Sequence, residues 1–191
     1  MASVSLTGRI DAELLAVLPK SLKFLAHNGA GYDQINVTDC TAVGLQVSNT
    51  PTAVDDSTAD VNLFLILGAL RNFSKGMTTL RRGQWLDGVP LGHDPQEKVL
   101  GVLGMGGIGR ALKRRTDALG MRTIYHNRNR LPVEMEDGAE YVSFEELLGK
   151  SDVISLNLPL NVSVCVNTLG EAADGDRNTH GISSARPSSR R

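Results

Sequence analysis

Between Val99 and Leu158, short aliphatic runs alternate with stretches of helical spacing. Val99–Leu103 is an unbroken apolar run, the pattern of a strand covered on both faces of a parallel sheet. Ile108, Ala111, Leu112, Ala118 and Leu119 fall on one helical face, which predicts a helix from Ile108 to Leu119 that Gly120 ends. Arg122–His126 reads as a second strand and Tyr141–Val142 as a short third. Ser143-Phe-Glu-Glu146 is a capping box that opens a short helix to Leu148. Val153–Leu158 is the next aliphatic strand, stopped at Pro159. This alternation predicts a doubly wound α/β parallel sheet with right-handed crossovers.

The first half of the chain is less regular. Asp11 is placed to cap a helix over Ala12–Leu18, and Pro19 lies just past its end. Lys23–His27 reads as a buried strand running into the turn Asn28-Gly29-Ala30-Gly31. Leu45–Ser48 is another strand, ending at Asn49-Thr50-Pro51. A long helix is expected from Ser57 to Arg82, capped by Ser57 or Asp56, with Asp60 near its start and Arg81 and Arg82 near its end. Its centre, Val61 to Leu67, is apolar nearly all round, so it should be buried between domains or against a second subunit. Trp85 to Glu97 carries Gly88, Pro90, Gly92 and Pro95 and reads as a connecting loop. Residues 161–191 show neither period and are expected to form a disordered tail.

Composition narrows the function classes. The chain has 191 residues and a formal net charge of −1, so charge offers no case for nucleic acid or an anionic membrane as partner. Its two cysteines, Cys40 and Cys165, make no framework, and no Cys/His group has zinc spacing. The longest apolar run, Leu63 to Leu70, is far short of the roughly 20 residues of a membrane span. No basic stretch followed by an apolar core opens the chain. A soluble, cytoplasmic protein without metal is the expectation.

The chemistry lies in Gly104-Met105-Gly106-Gly107-Ile108-Gly109, which matches G-x-G-x-x-G. The pattern is weak alone, but here it follows a strand and opens an amphipathic helix, the context a dinucleotide-binding unit requires. Gly104 allows the tight turn, Gly106 lets a pyrophosphate approach the backbone, and Gly109 lets helix and strand pack closely. Free N–H groups at the helix start then face the phosphates. NAD-binding units place an acid at the end of the second strand to bond the ribose 2′-hydroxyl. Here the text is Tyr125-His126-Asn127-Arg128-Asn129-Arg130, without an acid. Asn127 does not repel a 2′-phosphate and Arg128 can pair with it, so NADPH is favoured over NADH. Lys113-Arg114-Arg115 reads as a solvated helix face, and Asp55-Asp56 as helix-capping acids. None of His27, His93, His126 and His180 stands at a catalytic spacing from an acid.

Several segments in order resemble the D-2-hydroxyacid dehydrogenase family, in its glyoxylate/hydroxypyruvate reductase-like branch. They are His27-Asn-Gly-Ala-Gly-Tyr-Asp33, Asn49-Thr-Pro51, Ser57-Thr-Ala-Asp60, Arg82-Gly-Gln-Trp85, the glycine loop and Ser151-Asp-Val-Ile-Ser-Leu-Asn-Leu-Pro159. The resemblance implies a Rossmann cofactor domain inserted in a flavodoxin-like substrate domain, and reversible hydride transfer between NAD(P)H and a small 2-oxo acid such as glyoxylate or hydroxypyruvate. Backbone N–H groups of Ala30 and Gly31 would hold the substrate carboxylate, and Thr58 would lie near the cofactor. Gly107 and Ile108 would contact the pyrophosphate, Leu158 and Pro159 would line the adenosine side, and the long helix would help form a homodimer. The expected layout is an incomplete substrate domain over 1–84 with an interdomain helix at 57–82, a connecting loop at 85–98, the first part of the Rossmann domain at 99–160, and a tail at 161–191. The family's substrate-binding arginine and its histidine–acid pair follow the Leu158-Pro159 strand, where this chain diverges. No catalytic residue is therefore assigned, and the chain is expected to be truncated at both ends. The alternative is a non-catalytic dinucleotide-binding or dimer-poisoning fragment.

Overall fold

The computed structural model describes residues 2–4, 8–85 and 87–159, with side chains from Gly8 onward. All of these except Pro159 belong to one compact unit, Met1–Leu158. The expected tail at 161–191 lies outside the described residues. In chain order the elements are β1 (Ala2–Val4), α1 (Ala12–Val17), β2 (Phe24–His27), α2 (Val37–Ala42), β3 (Gln46–Ser48), α3 (Asp55–Leu70) and α4 (Phe73–Arg81). There follow β4 (Val99–Leu103), α5 (Gly107–Asp117), β5 (Arg122–His126), α6 (Val133–Glu136), β6 (Glu140–Tyr141), α7 (Phe144–Lys150) and β7 (Val153–Leu156).

The strands form two separate sheets, both parallel throughout. The smaller has the order β1-β2-β3, with Ala2 opposite Leu25 and Leu25 opposite Val47. The larger has the order β6-β5-β4-β7, with Val102 opposite Tyr125 on one side and opposite Ser155 on the other. The order reverses at β4, whose neighbours β5 and β7 follow it in opposite directions. Ligands of open α/β sheets bind in the crevice such a reversal opens at the carboxyl ends of the strands. The chain is thus of the α/β class with Rossmann-type parallel pairing, as the alternating pattern predicts.

Both faces of the larger sheet are covered. Leu100 and Val102 of β4 point to one face and pack with Ala111 and Leu112 of α5 and with Ala59, Ile66 and Leu70 of α3. Leu103 points to the other face, with Ile124, Val142 and Leu147 of α7. Gly101 lies beneath α7. A Cβ there would strike the side chain of Ser151 and come within 3.3 Å of Leu147, so the strand's one glycine admits the helix. The smaller sheet has its own core of Ile10, Leu15, Leu25, Ile35, Cys40 and Leu45.

The expected long helix, Ser57 to Arg82, is two helices. It starts earlier, at Asp55, and breaks after Leu70, where Asn72 takes the left-handed conformation at φ 56°. Asparagine tolerates that conformation better than most residues. Here its Nδ2 also donates to the Pro90 carbonyl at 3.2 Å, which ties the break to the loop beyond α4. Neither Ser57 nor Asp56 caps α3. Val54 is the N-cap, and the Ser57 hydroxyl donates back to its carbonyl. The apolar centre is covered on one side only: Ala59, Ile66 and Leu70 are buried, whereas Val61, Phe64 and Leu65 are about 60% exposed. Of the α5 cations Lys113, Arg114 and Arg115, Arg114 is exposed as expected, but the other two are not a solvated face. Lys113 is buried and bonds Asp117 at 2.6 Å, and Arg115 reaches Asp60 at 2.6 Å and Asp56 at 3.1 Å across the α3–α5 contact.

Leu112 has no exposed surface and lies where α5 meets β4. Leu112→Ala should cost about 2–5 kcal/mol, the range for a fully buried leucine. Urea denaturation of the two proteins measures it.

Candidate functional site

The glycine loop runs from the carboxyl end of β4 into α5, at the point where the strand order reverses. Each glycine answers a separate constraint. Gly104 has φ +97°, and a Cβ there would come 2.6 Å from the Asn157 carbonyl oxygen beyond β7. At Gly109 a Cβ would come 2.6 Å from the Gly104 carbonyl oxygen and 3.0 Å from Val102, so the helix packs onto its own strand at a distance only glycine permits. At Gly106 a Cβ would meet nothing within 4 Å, and the residue is exposed. That opening is where backbone can meet a ligand. The three glycines that the sequence pattern singles out thus serve a turn, an approach and a packing contact.

Gly106 is also the N-cap of α5 and offers no side-chain cap. Arg110 N donates to its carbonyl, but the N–H groups of Gly107, Ile108 and Gly109 find no acceptor among the described residues. Such orphan donors at the positive end of a helix favour an anion. The open approach and the free donors suit a dinucleotide pyrophosphate, with the Asp55 carboxylate beside Gly107 as an opposing charge.

The flanking candidates gather around this loop. Asn127 turns its Oδ1 to the Met105 N–H at 2.7 Å, so its first task is to hold the loop. The sequence reading, which placed it beside a ribose phosphate, missed this bond. Arg128 follows at the surface, exposed and with no ion pair among the described residues. Leu158 packs on the cluster of Leu103 and Ile124, and its Cδ2 lies 3.0 Å from where a Gly104 Cβ would be. Pro159 is exposed. At the start of α3 the Asp55 carboxylate touches Gly107, and Thr58 stands one turn further along the same face. Asn62, another turn on, bonds the Thr58 carbonyl and accepts from Ser155 Oγ at 3.2 Å, tying α3 to β7. Ala30 and Gly31 lie elsewhere, in the turn at the carboxyl end of β2, and no hydrogen bond joins that turn to the glycine loop among the described residues.

Sequence reasoning also missed a buried ionic group under the loop after β5. Glu136, 6% exposed, accepts from the Tyr125 hydroxyl at 2.6 Å and from Arg130 through Nε at 2.7 Å and Nη2 at 3.0 Å. The Tyr125 hydroxyl in turn accepts from the Leu131 N–H at 3.1 Å. The forked Arg130 contact and the tyrosine bond hold the Glu136 carboxyl at about 2, well below its usual 4.5. Arg130 is therefore committed to the fold, whereas Arg128 in the same loop forms no ion pair among the described residues. The residues involved span a loop of irregular backbone, so no period in the sequence signals them.

Comparison with known proteins agrees with this geometry. A family profile described as D-isomer specific 2-hydroxyacid dehydrogenase, NAD binding domain, matches residues 63–164. The chain belongs to that family. It is 60% identical over 161 residues to 4-methyl-2-oxopentanoate reductase A of Aspergillus oryzae, covering 84% of this chain and 49% of that protein. It is 48% identical over 165 residues to glyoxylate reductase 1 of Saccharomyces cerevisiae, covering 83% and 47%. The crystal structure of a glyoxylate reductase from Paecilomyes thermophila superposes with a TM-score of 0.79 at 57% identity, over 83% of this chain and 48% of that one. The chain thus spans about half the length of the curated relatives it matches.

A folded-state value below the unfolded one means that Glu136 stabilises fully above the ordinary 4.5 and that its contribution is lost as pH falls towards 2. Thermal melts of the wild type and Glu136→Gln should differ at neutral pH, and the gap should close across that window. A gap that stays constant with pH would contradict the assignment.

Proposed function

We propose that the protein is an oxidoreductase that binds NADPH and takes part in hydride transfer to a small 2-oxo acid such as glyoxylate or hydroxypyruvate. The observation that carries the reading is the open approach at Gly106 beside three unpaired N–H groups, at the reversal of a parallel sheet. In this reading those groups of Gly107, Ile108 and Gly109 bind the pyrophosphate, and Gly104 sets the turn that aims them. Leu158 and Pro159 line the adenosine side, and Thr58 faces the cofactor from α3. The cofactor supplies the hydride when bound.

Preference for NADPH rests on Arg128, which is exposed and free of ion pairs among the described residues, at the end of a strand that offers no carboxylate to the 2′-hydroxyl. Asn127 supports that end by holding Met105. A relative at 27% identity and TM-score 0.74, an acyclic imino acid reductase, was solved in complex with NADPH and D-Arg, which is compatible with the choice. Ala30 and Gly31 bind the substrate carboxylate through their backbone. In this reading 1–84 is part of a substrate domain and 99–160 part of the cofactor domain, with α3 of the first segment packed on the sheet of the second. The exposed stripe of Val61, Phe64 and Leu65 on α3 is proposed as homodimer surface, since apolar side chains of that size at helical spacing favour burial. The described residues present no arginine or histidine–acid pair assigned to the chemical step, so cofactor binding is the direct test.

Titration of the chain with NADPH and NADH, followed by fluorescence of the reduced nicotinamide, should show tighter binding of NADPH. Arg128→Ala should weaken NADPH binding by about tenfold, the value of one good charge-assisted contact, and leave NADH unchanged. Gly106→Val should abolish binding of both while its melting temperature stays near the wild type, because its side chain enters open space. Binding of either nucleotide unaffected by Gly106→Val would overturn the reading.

A further inference from the structure

Three consecutive carbonyl groups in the turn after β2 are tied back into the protein. The Gly29 carbonyl accepts from Thr50 N at 3.0 Å, and the Ala30 carbonyl from Asn49 Nδ2 at 2.8 Å. The Gly31 carbonyl lies 2.8 Å from His27 Nε2. In a trans peptide the carbonyl and the next N–H point opposite ways. Tethering the Gly29 and Ala30 carbonyls therefore turns the N–H groups of Ala30 and Gly31 outward, and tethering Gly31 fixes the far side of the same turn. Those two N–H groups donate to no described residue. Successive backbone N–H groups presented this way form an anion-binding concavity.

The tethers are brought there by the parallel register. Ala26 stands opposite Ser48, so Asn49-Thr50 leaves β3 beside the point where Asn28–Gly31 leaves β2. His27 is 2% exposed. Its Nδ1 is buried without a partner, while its Nε2 faces both the Gly31 carbonyl and the Gln34 amide, the latter at 3.2 Å. A proton on Nε2 suits the Gly31 contact, and the Gln34 Nε2 at 3.2 Å is then a close approach and not a hydrogen bond, since both nitrogens would be donors. The opposite tautomer would set two lone pairs 2.8 Å apart and bury an unpaired N–H. Gly29 completes the fit, since a Cβ there would come 2.6 Å from that same nitrogen.

We propose that Asn49 and His27 are positioning residues for the carboxylate of a 2-oxo or 2-hydroxy acid. Asn49 holds the Ala30 carbonyl so that the Gly31 N–H faces the anion, His27 fixes the far side of the turn through the Gly31 carbonyl, and neither touches the substrate itself. The proposal rests on the reading of the Ala30–Gly31 turn as the carboxylate site.

The test is titration of the ¹⁵N-labelled full chain with oxamate, a small carboxylate of the right shape, followed at the amide resonances of Ala30 and Gly31. In the wild type these should shift and saturate. Asn49→Ala and His27→Ala should weaken oxamate binding by about tenfold, as expected for loss of one preorganising hydrogen bond. NADPH affinity at the glycine loop should not change. His27→Gln, whose amide can still donate to Gly31, should recover most of the oxamate affinity. If His27→Ala fails to fold, Asn49→Asp carries the test, because it keeps the side-chain volume and loses the donor. Wild-type oxamate affinity in Asn49→Ala and Asn49→Asp would overturn the proposal and leave the carboxylate site standing. Wild-type Ala30 and Gly31 resonances that do not respond to oxamate would overturn the site and the proposal together.

Discussion

The approach of the Gly104 backbone to the Asn157 carbonyl governs how the larger sheet works. The chain must leave β4, turn within three residues and start a helix that lies back on the same strand. That path needs a positive φ at Gly104 and leaves no room for a side chain there, because β7 delivers its own backbone to the same spot. It needs a second glycine at 109 so that the first turn of α5 can rest on the Gly104 carbonyl and Val102. Once both are met, the three N–H groups of Gly107, Ile108 and Gly109 have one direction in which to point. The direction in which these donors face is thus a consequence of packing.

Helix α3 is the element that couples this loop to the rest of the unit. Ala59, Ile66 and Leu70 bury one side of it against α5 and β4. Its acids meet Arg115 on α5, and Asn62 joins Ser155 and, at 3.4 Å, Asn157 at the end of β7. The ion pairs are largely open to solvent on the acid side, so burial decides the packing and the charges add little to it. The other side of α3 remains apolar and exposed. A helix that is apolar on both sides is suited to two packing partners, and within the described unit it has one.

The two candidate sites follow one rule. Each lies at the carboxyl end of a parallel strand, next to the strand that pairs with it, and each presents backbone N–H groups. At the glycine loop the donors are free because a helix begins there. In the Asn28–Gly31 turn they are free because Asn49, Thr50 and His27 occupy the intervening carbonyls. Backbone donors depend on chain path, so in the proposed reading both sites would select a negative charge without a cationic side chain at their centre. Arg128 adds a cation only at the rim, where the sequence has no acid.

Much of this was legible in the sequence. The bounds of β4 and β5, the capping box at Ser143 and the turn and packing roles of Gly104 and Gly109 follow from short-range patterns, because a buried strand, a helix cap and a tight turn are each specified by residues within one or two turns of the chain. The family membership was legible for the same reason, through ordered local motifs. What needed the tertiary structure involves partners far apart in sequence: the break at Asn72 held by Pro90, Glu136 under Tyr125, Arg115 against Asp60, and Asn49 behind Ala30. Composition marks those residues as ordinary polar groups. Only folding brings each one to the single buried or half-buried partner that gives it a task, because a hydrogen bond is set by position in space and leaves no period along the chain.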